Sequence, residues 1–308
     1  MRAWRSLGRR FGVMAKPTLD RAVGSLVSLI LRAIRHLDRN RISNIVAAIA
    51  RRIGPWLPEH RIGRANLTAA FPDKSPAEIE RILAGVWDNL GRVAAEFAHL
   101  DRLLVGDPEN RPYFEYGPGA AARFKRLRDD GKPALVFAAH CGNWELPAIV
   151  AQADGLDALV LFRRPNVGAV ADTIIAMRRG SMGTLVPTDM NAPIRLARAL
   201  EDNRHVAMLV DQHYVKGVDV TFFGRRCKAN PLLAALARHV ECPIHGVRIV
   251  RLPDGRFRGD LTDEIPPVRD AEGKIDIKGT MQAITSVVEG WVREHPEQWL
   301  WLHRRWRE

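Results

Sequence analysis

His140 and Glu145 are the residues of this chain whose types and spacing best suit acid–base chemistry. They are separated by four residues and follow an apolar run, 133–139, that is typical of a short buried strand. An imidazole titrates near neutral pH and can take a proton from a hydroxyl, while a carboxylate beside it fixes the tautomer and stabilises the imidazolium. The pattern predicts that His140 is a general base, that Glu145 is its partner and that an alcohol is the nucleophile.

The spacing of this pair is weak evidence by itself. With ten histidines and 35 acidic residues in 308 positions, about one such pair is expected by chance. His303 and Glu308 form a second pair of the same spacing, in a segment whose neighbouring charges favour exposure to solvent. The competing interpretation of His140 is a loop histidine that is hydrogen-bonded to a nearby carboxylate and has no catalytic role.

The elements that must position these residues follow from the pattern of apolar residues. From residue 118 onward, short apolar runs alternate with helical patterns. The further runs are 158–162, 205–210 and 243–250, and the helical patterns are 118–130, 167–179 and 192–200. This alternation predicts an α/β fold with a mixed, mostly parallel sheet flanked by helices. Active sites in such folds lie beyond the strand ends, which is where His140 falls.

The first part of the chain is patterned for helices. We therefore expect a helical amino-terminal region, 1–105, and an α/β catalytic domain, 106–308. Ser75-Pro76-Ala77-Glu78 predicts a helix start, with a cap, a first-turn proline and an acid that suits the helix dipole.

An amphipathic, membrane-associating helix is predicted near the start of this region. Its apolar residues at helical spacing are Val23, Leu26, Val27, Ile30 and Ile34, and the flanking arginines are Arg21, Arg32, Arg35, Arg39 and Arg41. The longest uncharged stretch, 22–31, is half of the roughly twenty residues that a membrane span needs, so the helix is expected to lie in an anionic interface. No secretory signal is recognisable, which favours the cytoplasmic face. The alternative is an ordinary surface helix that packs on the core with the same residues.

The net charge of +12 predicts an anionic partner. A phosphorylated glycolipid, an anionic membrane and an acidic carrier protein all fit. The basic pairs 178–179, 225–226 and 304–305 are scattered, and most of them individually are typical of solvated surface. No zinc-finger, RNP or glycine-lysine signature accompanies them, so nucleic acid is not an expected partner.

The cysteines predict neither a metal site nor a nucleophile. Cys141, Cys227 and Cys242 are widely spaced and lack the close pairs of a zinc site, which favours reduced thiols. Cys141 adjoins His140, and neighbouring side chains on an extended backbone point to opposite faces. Trp299 and Trp301 share one face if their segment is extended, which suits a buried strand. A membrane belt or an acyl-chain groove is the other interpretation of these tryptophans.

Segments spread over most of the chain carry a family resemblance. They are Gly54-Pro55-Trp56-Leu57-Pro58, Asn66-Leu67, Ala70-Phe71-Pro72-Asp73, Trp87-Asp88-Asn89-Leu90-Gly91 with Glu96, the block from His140 to Glu145, Arg164-Pro165-Asn166, Val210-Asp211-Gln212, Thr221-Phe222-Phe223-Gly224 and 296–306. In order and spacing they resemble the bacterial lipid A biosynthesis acyltransferases, the lauroyl and myristoyl transferases of the lysophospholipid acyltransferase superfamily.

The resemblance implies transfer of a fatty acyl group from an acyl carrier protein, or less often from coenzyme A, to a hydroxyl of an anionic glycolipid. A lipid A precursor at the cytoplasmic face of the inner membrane is the expected acceptor, and no cofactor or metal is required. His140 and Glu145 carry over as the catalytic pair. Arg164 carries over as a contact for phosphate or for the oxyanion, because its planar fork can donate two parallel hydrogen bonds. The other residues expected to bind substrate or order the site are Asn143, Asp211, Gln212, Phe223 and Gly224.

One departure from the family pattern leaves the acceptor open. The segment 211–217 is shorter and less glycine-rich than in many members. Relatives with the same centre acylate other lipids, such as a mannosylated phosphatidylinositol. Two further alternatives are a hydrolase that uses the same pair on water, and a non-enzymatic lipid-binding protein, against which the intact His140 and Glu145 argue.

Overall fold

The computed structural model describes residues 24, 29–104, 106, 110–164 and 168–307. Its helices are α1 (Arg39–Ile53), α2 (Pro58–Ala70), α3 (Pro76–Glu96), α4 (Ala120–Asp129), α5 (Leu146–Ala153), α6 (Gly168–Arg179), α7 (Ala192–Glu201), α8 (Leu232–His239) and α9 (Ile277–Glu294). Its strands are β1 (Phe114–Tyr116), β2 (Leu135–Ala138), β3 (Ala158–Phe162), β4 (Thr184–Pro187), β5 (His205–Leu209), β6 (Val218–Phe222), β7 (Arg225–Ala229), β8 (Ile244–Arg251) and β9 (Phe257–Leu261).

Seven of these strands form one sheet, in the order β1-β9-β8-β2-β5-β3-β4. Every neighbouring pair is parallel except β8 and β9, which are antiparallel. The predicted α/β class with a mixed, mostly parallel sheet flanked by helices is therefore confirmed. β6 and β7 form a separate antiparallel hairpin whose two-residue turn is Phe223-Gly224, both with positive φ. Two such residues match the twist of a hairpin, and glycine adopts this conformation without a steric penalty.

The central strand β2 divides the interior into two faces, because successive side chains on a strand point in opposite directions. Leu135 and Phe137 are fully buried and belong to the main core, which also contains side chains of the helices on that side of the sheet. Val136 and Ala138 point to the other face, where a pocket lies between the sheet and its helices. His140 continues the second set, so the strand directs it toward that pocket.

The helices before the sheet are locally well specified. Ser75 accepts a hydrogen bond from the Glu78 amide and the Glu78 carboxylate accepts one from the Ser75 amide, so the predicted start of α3 is confirmed as a capping box. α1 and α3 pack closely at Gly91, where an added Cβ would lie 2.8 Å from the Ala47 Cα. Leu67 and Leu83 belong to the same core as the strands. The division into 1–105 and 106–308 stays a prediction.

The amphipathic amino-terminal helix is only partly within the described residues. Arg21, Val23, Leu26 and Val27 lie outside them, whereas 29–35 is helical and Ile30 is exposed. Within the described parts of the chain, no helix is both long enough and apolar enough to cross a membrane. Membrane association therefore stays a prediction.

Candidate active site

His140 and Asp211 meet because two neighbouring parallel strands end side by side. Ala138 at the end of β2 pairs with Leu209 at the end of β5, and each polar residue follows its strand by two positions. Asp211 is buried, and its Oδ1 lies 2.8 Å from His140 Nδ1. Its other oxygen, Oδ2, accepts the His140 backbone N–H at 2.9 Å. One carboxylate thus holds both the ring and the backbone of the histidine.

This contact fixes the tautomer of His140. Because Asp211 is a carboxylate, Nδ1 carries the proton and donates it, which leaves a lone pair on Nε2. The Gln212 side-chain Nε2, a donor, lies 3.4 Å from that nitrogen. Burial alone would lower the pKa of His140, but the Asp211 charge and hydrogen bond outweigh it and raise the pKa above its ordinary value. The same interaction holds the pKa of Asp211 below its usual range, against the effect of burial.

Glu145 has a different partner from the one that the sequence suggested. The tautomer-fixing position at Nδ1, assigned to Glu145 from its spacing, is occupied by Asp211. The Glu145 carboxylate instead pairs with Arg178 of α6, whose Nε donates at 2.8 Å to Oε2 and whose second nitrogen donates to Oε1. Glu145 still lines the pocket beside His140, and its charge contributes to the raised pKa of the histidine. Arg178 had appeared only as half of a basic pair in the sequence.

Asn143 is hydrogen-bonded to other residues of the protein through both polar atoms of its side chain. It is fully buried, and its side-chain Nδ2 donates to Glu96 Oε2 at 2.9 Å while its Oδ1 accepts the Glu145 amide at 3.2 Å. Glu96 in turn pairs with Arg251 of β8. Both polar atoms of the Asn143 side chain are thus hydrogen-bonded inside the protein, and its assignment to substrate binding stays a prediction.

The same network fixes the backbone of the loop 140–145. Arg251 Nε donates to Asn89 Oδ1 at 3.0 Å, and Asn89 Nδ2 donates to the Gly142 carbonyl at 2.9 Å. Gly142 has φ of 56°, and an added Cβ would lie 2.2 Å from the Ile249 carbonyl oxygen, so only glycine fits there. Residues 140–145 are thus held rigidly between α3 and β8.

A cavity of about 650 Å³ opens beside His140. Such a volume is in the range of small-molecule sites. Its mouth carries His140, Arg164 and Gln212, and its walls are mostly apolar. It continues along the sheet to Val136, which precedes His140 by four residues, or about 13 Å of strand. A buried cluster that includes Leu127, Leu156 and Ala158 lies at this far end.

The remaining predicted residues divide between this pocket and the core. Arg164 lines the pocket, is 59% exposed and pairs with Asp172; the following residues Pro165 and Asn166 lie outside the described part of the chain. Phe223 and Gly224 are not among the described residues that line the pocket. Phe223 is buried against aromatic rings of the core, because the turn that it forms folds it inward. Gly224 is exposed at the turn, and the assignment of both residues to substrate binding stays a prediction.

Neither a thiol nor a metal centre is built into the site as described. Burial raises the pKa of the Cys141 thiol, which disfavours the reactive thiolate. Within the described ranges, no group of three or more histidines, cysteines and acids is arranged to hold a metal ion. Trp299 and Trp301 are buried in the core, consistent with the packing interpretation of these residues.

The site therefore combines a basic imidazole nitrogen, an apolar cavity and exposed arginine at its mouth. This arrangement can deprotonate a hydroxyl next to a bound hydrocarbon chain. The model of the bacterial lipid A biosynthesis acyltransferase family matches residues 16–308. No curated protein is significantly similar to the chain. Because the match covers nearly all of the sequence, the chain belongs to the bacterial lipid A biosynthesis acyltransferase family and is an enzyme that transfers acyl groups.

Proposed function

We propose that this enzyme transfers a fatty acyl group from a thioester donor to a hydroxyl of an anionic glycolipid, a lipid A precursor, with His140 as the general base. The observation that carries the proposal is the position of His140 Nε2, the unprotonated ring nitrogen, at the mouth of a mostly apolar cavity. The donor is an acyl carrier protein or coenzyme A. The positive net charge of the chain favours the acidic carrier protein.

The reaction begins when His140 Nε2 takes the proton of the acceptor hydroxyl. The hydroxyl oxygen then attacks the thioester carbonyl, and a tetrahedral oxyanion forms. As it collapses, the C–S bond breaks and the thiolate leaves with the proton that the imidazolium returns. Asp211 stabilises the imidazolium throughout, because its carboxylate stays hydrogen-bonded to Nδ1. No other proton carrier is needed.

Arg164 is the group that we assign to the oxyanion or to a phosphate of the acceptor. The backbone amides of the loop are largely engaged: that of His140 donates to Asp211, that of Gly142 to the Gln298 carbonyl and that of Glu145 to Asn143. Arg164 is exposed at the mouth, and its only described partner is the exposed Asp172. A guanidinium can exchange such a surface partner at low cost and donate two hydrogen bonds to an anion.

The cavity suits the hydrocarbon chain of the donor. Its wall follows the face of the sheet that carries Val136 and Ala138, so a chain whose thioester lies at His140 would extend toward the start of β2. Burying each methylene contributes about 0.8 kcal/mol, which makes an apolar cavity of this size a strong acyl site. The far end at Leu127, Leu156 and Ala158 would then limit chain length.

The surface of α1 supports association with an anionic membrane, which we propose to be the inner membrane at its cytoplasmic face. Ile45, Ile49 and Ile53 recur every four residues on one side of this helix, and all are exposed, as is Trp56 just beyond it; we call these four residues the isoleucine stripe. Arg41 and Arg52 are exposed on α1 as well. Neither forms an ion pair within the described part of the chain. Apolar residues flanked by free arginines are typical of a helix that lies in an anionic interface.

The test is acyl transfer from radiolabelled acyl carrier protein to total membrane lipid, with wild type beside His140→Ala and with chromatography and mass analysis of the product. We expect wild type to label one anionic glycolipid and His140→Ala to lose at least about a hundredfold in rate while staying folded by circular dichroism. A parallel reaction with acyl coenzyme A identifies the donor.

Three results would contradict parts of the proposal. Undiminished transfer by His140→Ala would exclude this residue as the base. Free fatty acid as the sole product would favour a hydrolase. A labelled lipid without anionic groups would contradict an anionic glycolipid as the acceptor and assign another lipid class to that role.

A further inference from the structure

Residues 298–300 lie against the loop 140–145 as a short antiparallel bridge. The Gly142 amide donates to the Gln298 carbonyl at 2.9 Å, and the Leu300 amide donates to the His140 carbonyl at 3.2 Å. Cys141 and Trp299 are the paired residues between these bonds. The bridge therefore sets the position of Trp299 relative to His140 through the backbone of both segments.

The Trp299 indole completes the surroundings of Asp211. Its ring is 1% exposed, and its Nε1 donates to Asp211 Oδ2 at 2.7 Å. The same oxygen accepts the His140 amide, while Oδ1 faces His140 Nδ1. A carboxylate has two equivalent oxygens and can rotate about its bond to Cβ. Two donors on Oδ2 remove that freedom and keep Oδ1 for the imidazole.

We propose that the indole N–H of Trp299 is a positioning group for the base: it fixes the orientation and the effective charge of Asp211, and through Asp211 the direction of His140 Nε2. The inference rests on the proposed function of His140. Trp299 itself does not touch the reacting atoms. Its contribution is a hydrogen bond to a charged, buried acceptor, which is stronger than one between neutral groups.

The sign of its effect on pH dependence follows from charge. The indole N–H partly compensates the negative charge of Asp211, and without it the carboxylate would stabilise the imidazolium more strongly. The pKa of His140 would then rise further, and the activity that requires neutral imidazole would be lost at a higher pH as the solution is acidified.

The charged groups around His140 and Asp211 must stay the same when the pH dependence is compared with and without the indole N–H. Glu145 and Arg178 act on His140, and His303 and Arg305 act on Asp211 from the segment that carries Trp299. Burial lowers the pKa of His303, although the hydrogen bond between its Nδ1 and the Leu300 carbonyl acts in the opposite direction. The expected shift is therefore read from variants that leave these four residues in place.

The test compares Trp299→Phe with Trp301→Phe. Trp301 is equally buried in the same segment, but its Nε1 donates to the Pro296 carbonyl at 2.7 Å rather than to a carboxylate. Each variant removes one indole N–H and its hydrogen bond from the core. We expect Trp299→Phe to lose about tenfold or more in kcat with little change in KM. We also expect the acid-side midpoint of its pH–rate profile to move to higher pH. Trp301→Phe should lower the melting temperature without moving that midpoint.

A second replacement guards against poor folding of the phenylalanine variant. Benzothienylalanine, introduced at position 299 alone, keeps the bicyclic shape but has sulfur in place of the N–H. If both replacements at 299 keep the wild-type kcat and pH midpoint, or change them only as Trp301→Phe does, the positioning role is excluded. The His140→Ala variant distinguishes failure of the proposed base from failure of the positioning role of Trp299. If His140→Ala stays active, His140 is not the base. If His140→Ala is inactive while the variants at 299 behave as wild type, only the positioning role is excluded.

Discussion

The two carboxylates near His140 differ in what they touch. Asp211 bonds the ring nitrogen, whereas Glu145 bonds Arg178 and reaches the histidine only through its charge. The rate should therefore depend on Asp211 for the tautomer and on Glu145 chiefly for the arrangement of the pocket wall.

Replacing Asp211 with asparagine should be the most damaging conservative change next to the base. The variant loses the charge that raises the pKa of His140 and favours the wrong tautomer, so we expect a fall in kcat of about a hundredfold or more. Because the raised pKa is lost, the acid-side midpoint of kcat/KM should move to lower pH. Asp189→Asn, which removes an aspartate charge from a surface contact with Arg195, is the control. An unshifted midpoint in Asp211→Asn would contradict the assignment.

Replacing Glu145 with glutamine should affect stability more than chemistry. The amide keeps the shape but leaves the half-buried Arg178 without its charge partner, at a cost of about 1–3 kcal/mol in the free energy of unfolding. His140 Nδ1 keeps its bond to Asp211, so the rate should fall less than in Asp211→Asn. Urea unfolding and steady-state rates of the two variants measure both effects. A larger rate loss for Glu145→Gln would restore Glu145 as the orienting group.

At the scale of elements, α1 contributes a surface and the sheet contributes the cavity. The exposed isoleucine stripe should bind membrane with the rest of the fold unchanged, because its residues pack against little else. The cavity should select the acyl chain by the residues at its closed end.

Ile49→Glu should weaken binding to vesicles that contain an anionic lipid such as phosphatidylglycerol. Burying an isoleucine in the interface contributes about 1.5–3 kcal/mol, so the loss should be at least about tenfold in cosedimentation. Ile49 is 51% exposed, and the melting temperature should stay within a few degrees of wild type. Ile194→Glu on α7, at a similarly exposed isoleucine, is the matched control. Equal binding by Ile49→Glu and wild type would exclude the stripe as the contact.

Ala158→Leu should shorten the acyl chain that the enzyme prefers. Ala158 is buried at the far end of the cavity, and a larger side chain there takes the space of the last methylenes. Competition between donors of different chain length should shift toward the shorter one by about tenfold or more. Ala134→Leu, in the same cluster but not among the described residues that line the cavity, controls for crowding of the core. A loss of rate equal for all chain lengths would argue against this role.

The sequence predicts the central strands β8, β2, β5 and β3 better than the strands at the two edges of the sheet and in the hairpin, for physical reasons. Strands buried on both faces read as continuous apolar runs, and 158–162 and 205–210 coincide with β3 and β5 to within one residue. β6 and β7 were not predicted, because arginine and lysine interrupt β7 where one side faces solvent. β1 and β9 carry a similar mixture of polar and apolar residues.

The site was predictable in its members more than in its contacts. The spacing and the apolar run before it pointed to His140, whereas Asp211 was expected at the site only because of the family resemblance. Their contact depends on β2 and β5 being neighbours in the sheet. Strand order decides this, and no local pattern in a single sequence encodes strand order. Arg178 and Trp299 reach the site from 33 and 88 residues away from their partners. Trp299 lies in the segment 296–306 that carries the family resemblance, but neither residue was predicted to contact the site.

At the scale of the whole molecule, the net charge of +12 should govern association with anionic surfaces. Raising the salt concentration from 0.1 to 1 M shortens the Debye length from about 10 to about 3 Å, so binding to anionic vesicles should fall steeply. Binding that remains at high salt measures the apolar contact of the stripe. A cosedimentation series over salt concentration tests this, with neutral vesicles as the control. Binding that does not change with salt concentration would exclude electrostatic attraction as a contribution to vesicle binding.

The bridge between residues 140–142 and 298–300 has a consequence for synthesis of the chain on the ribosome. Oδ2 of Asp211 obtains its second donor only when Trp299 is in place, about 160 residues after His140 has been translated. At about 5–20 residues per second, that interval is roughly 10–30 s. The base of a nascent chain therefore stays incompletely oriented until Trp299 has been synthesised and packed, so full transferase activity should not begin before that point.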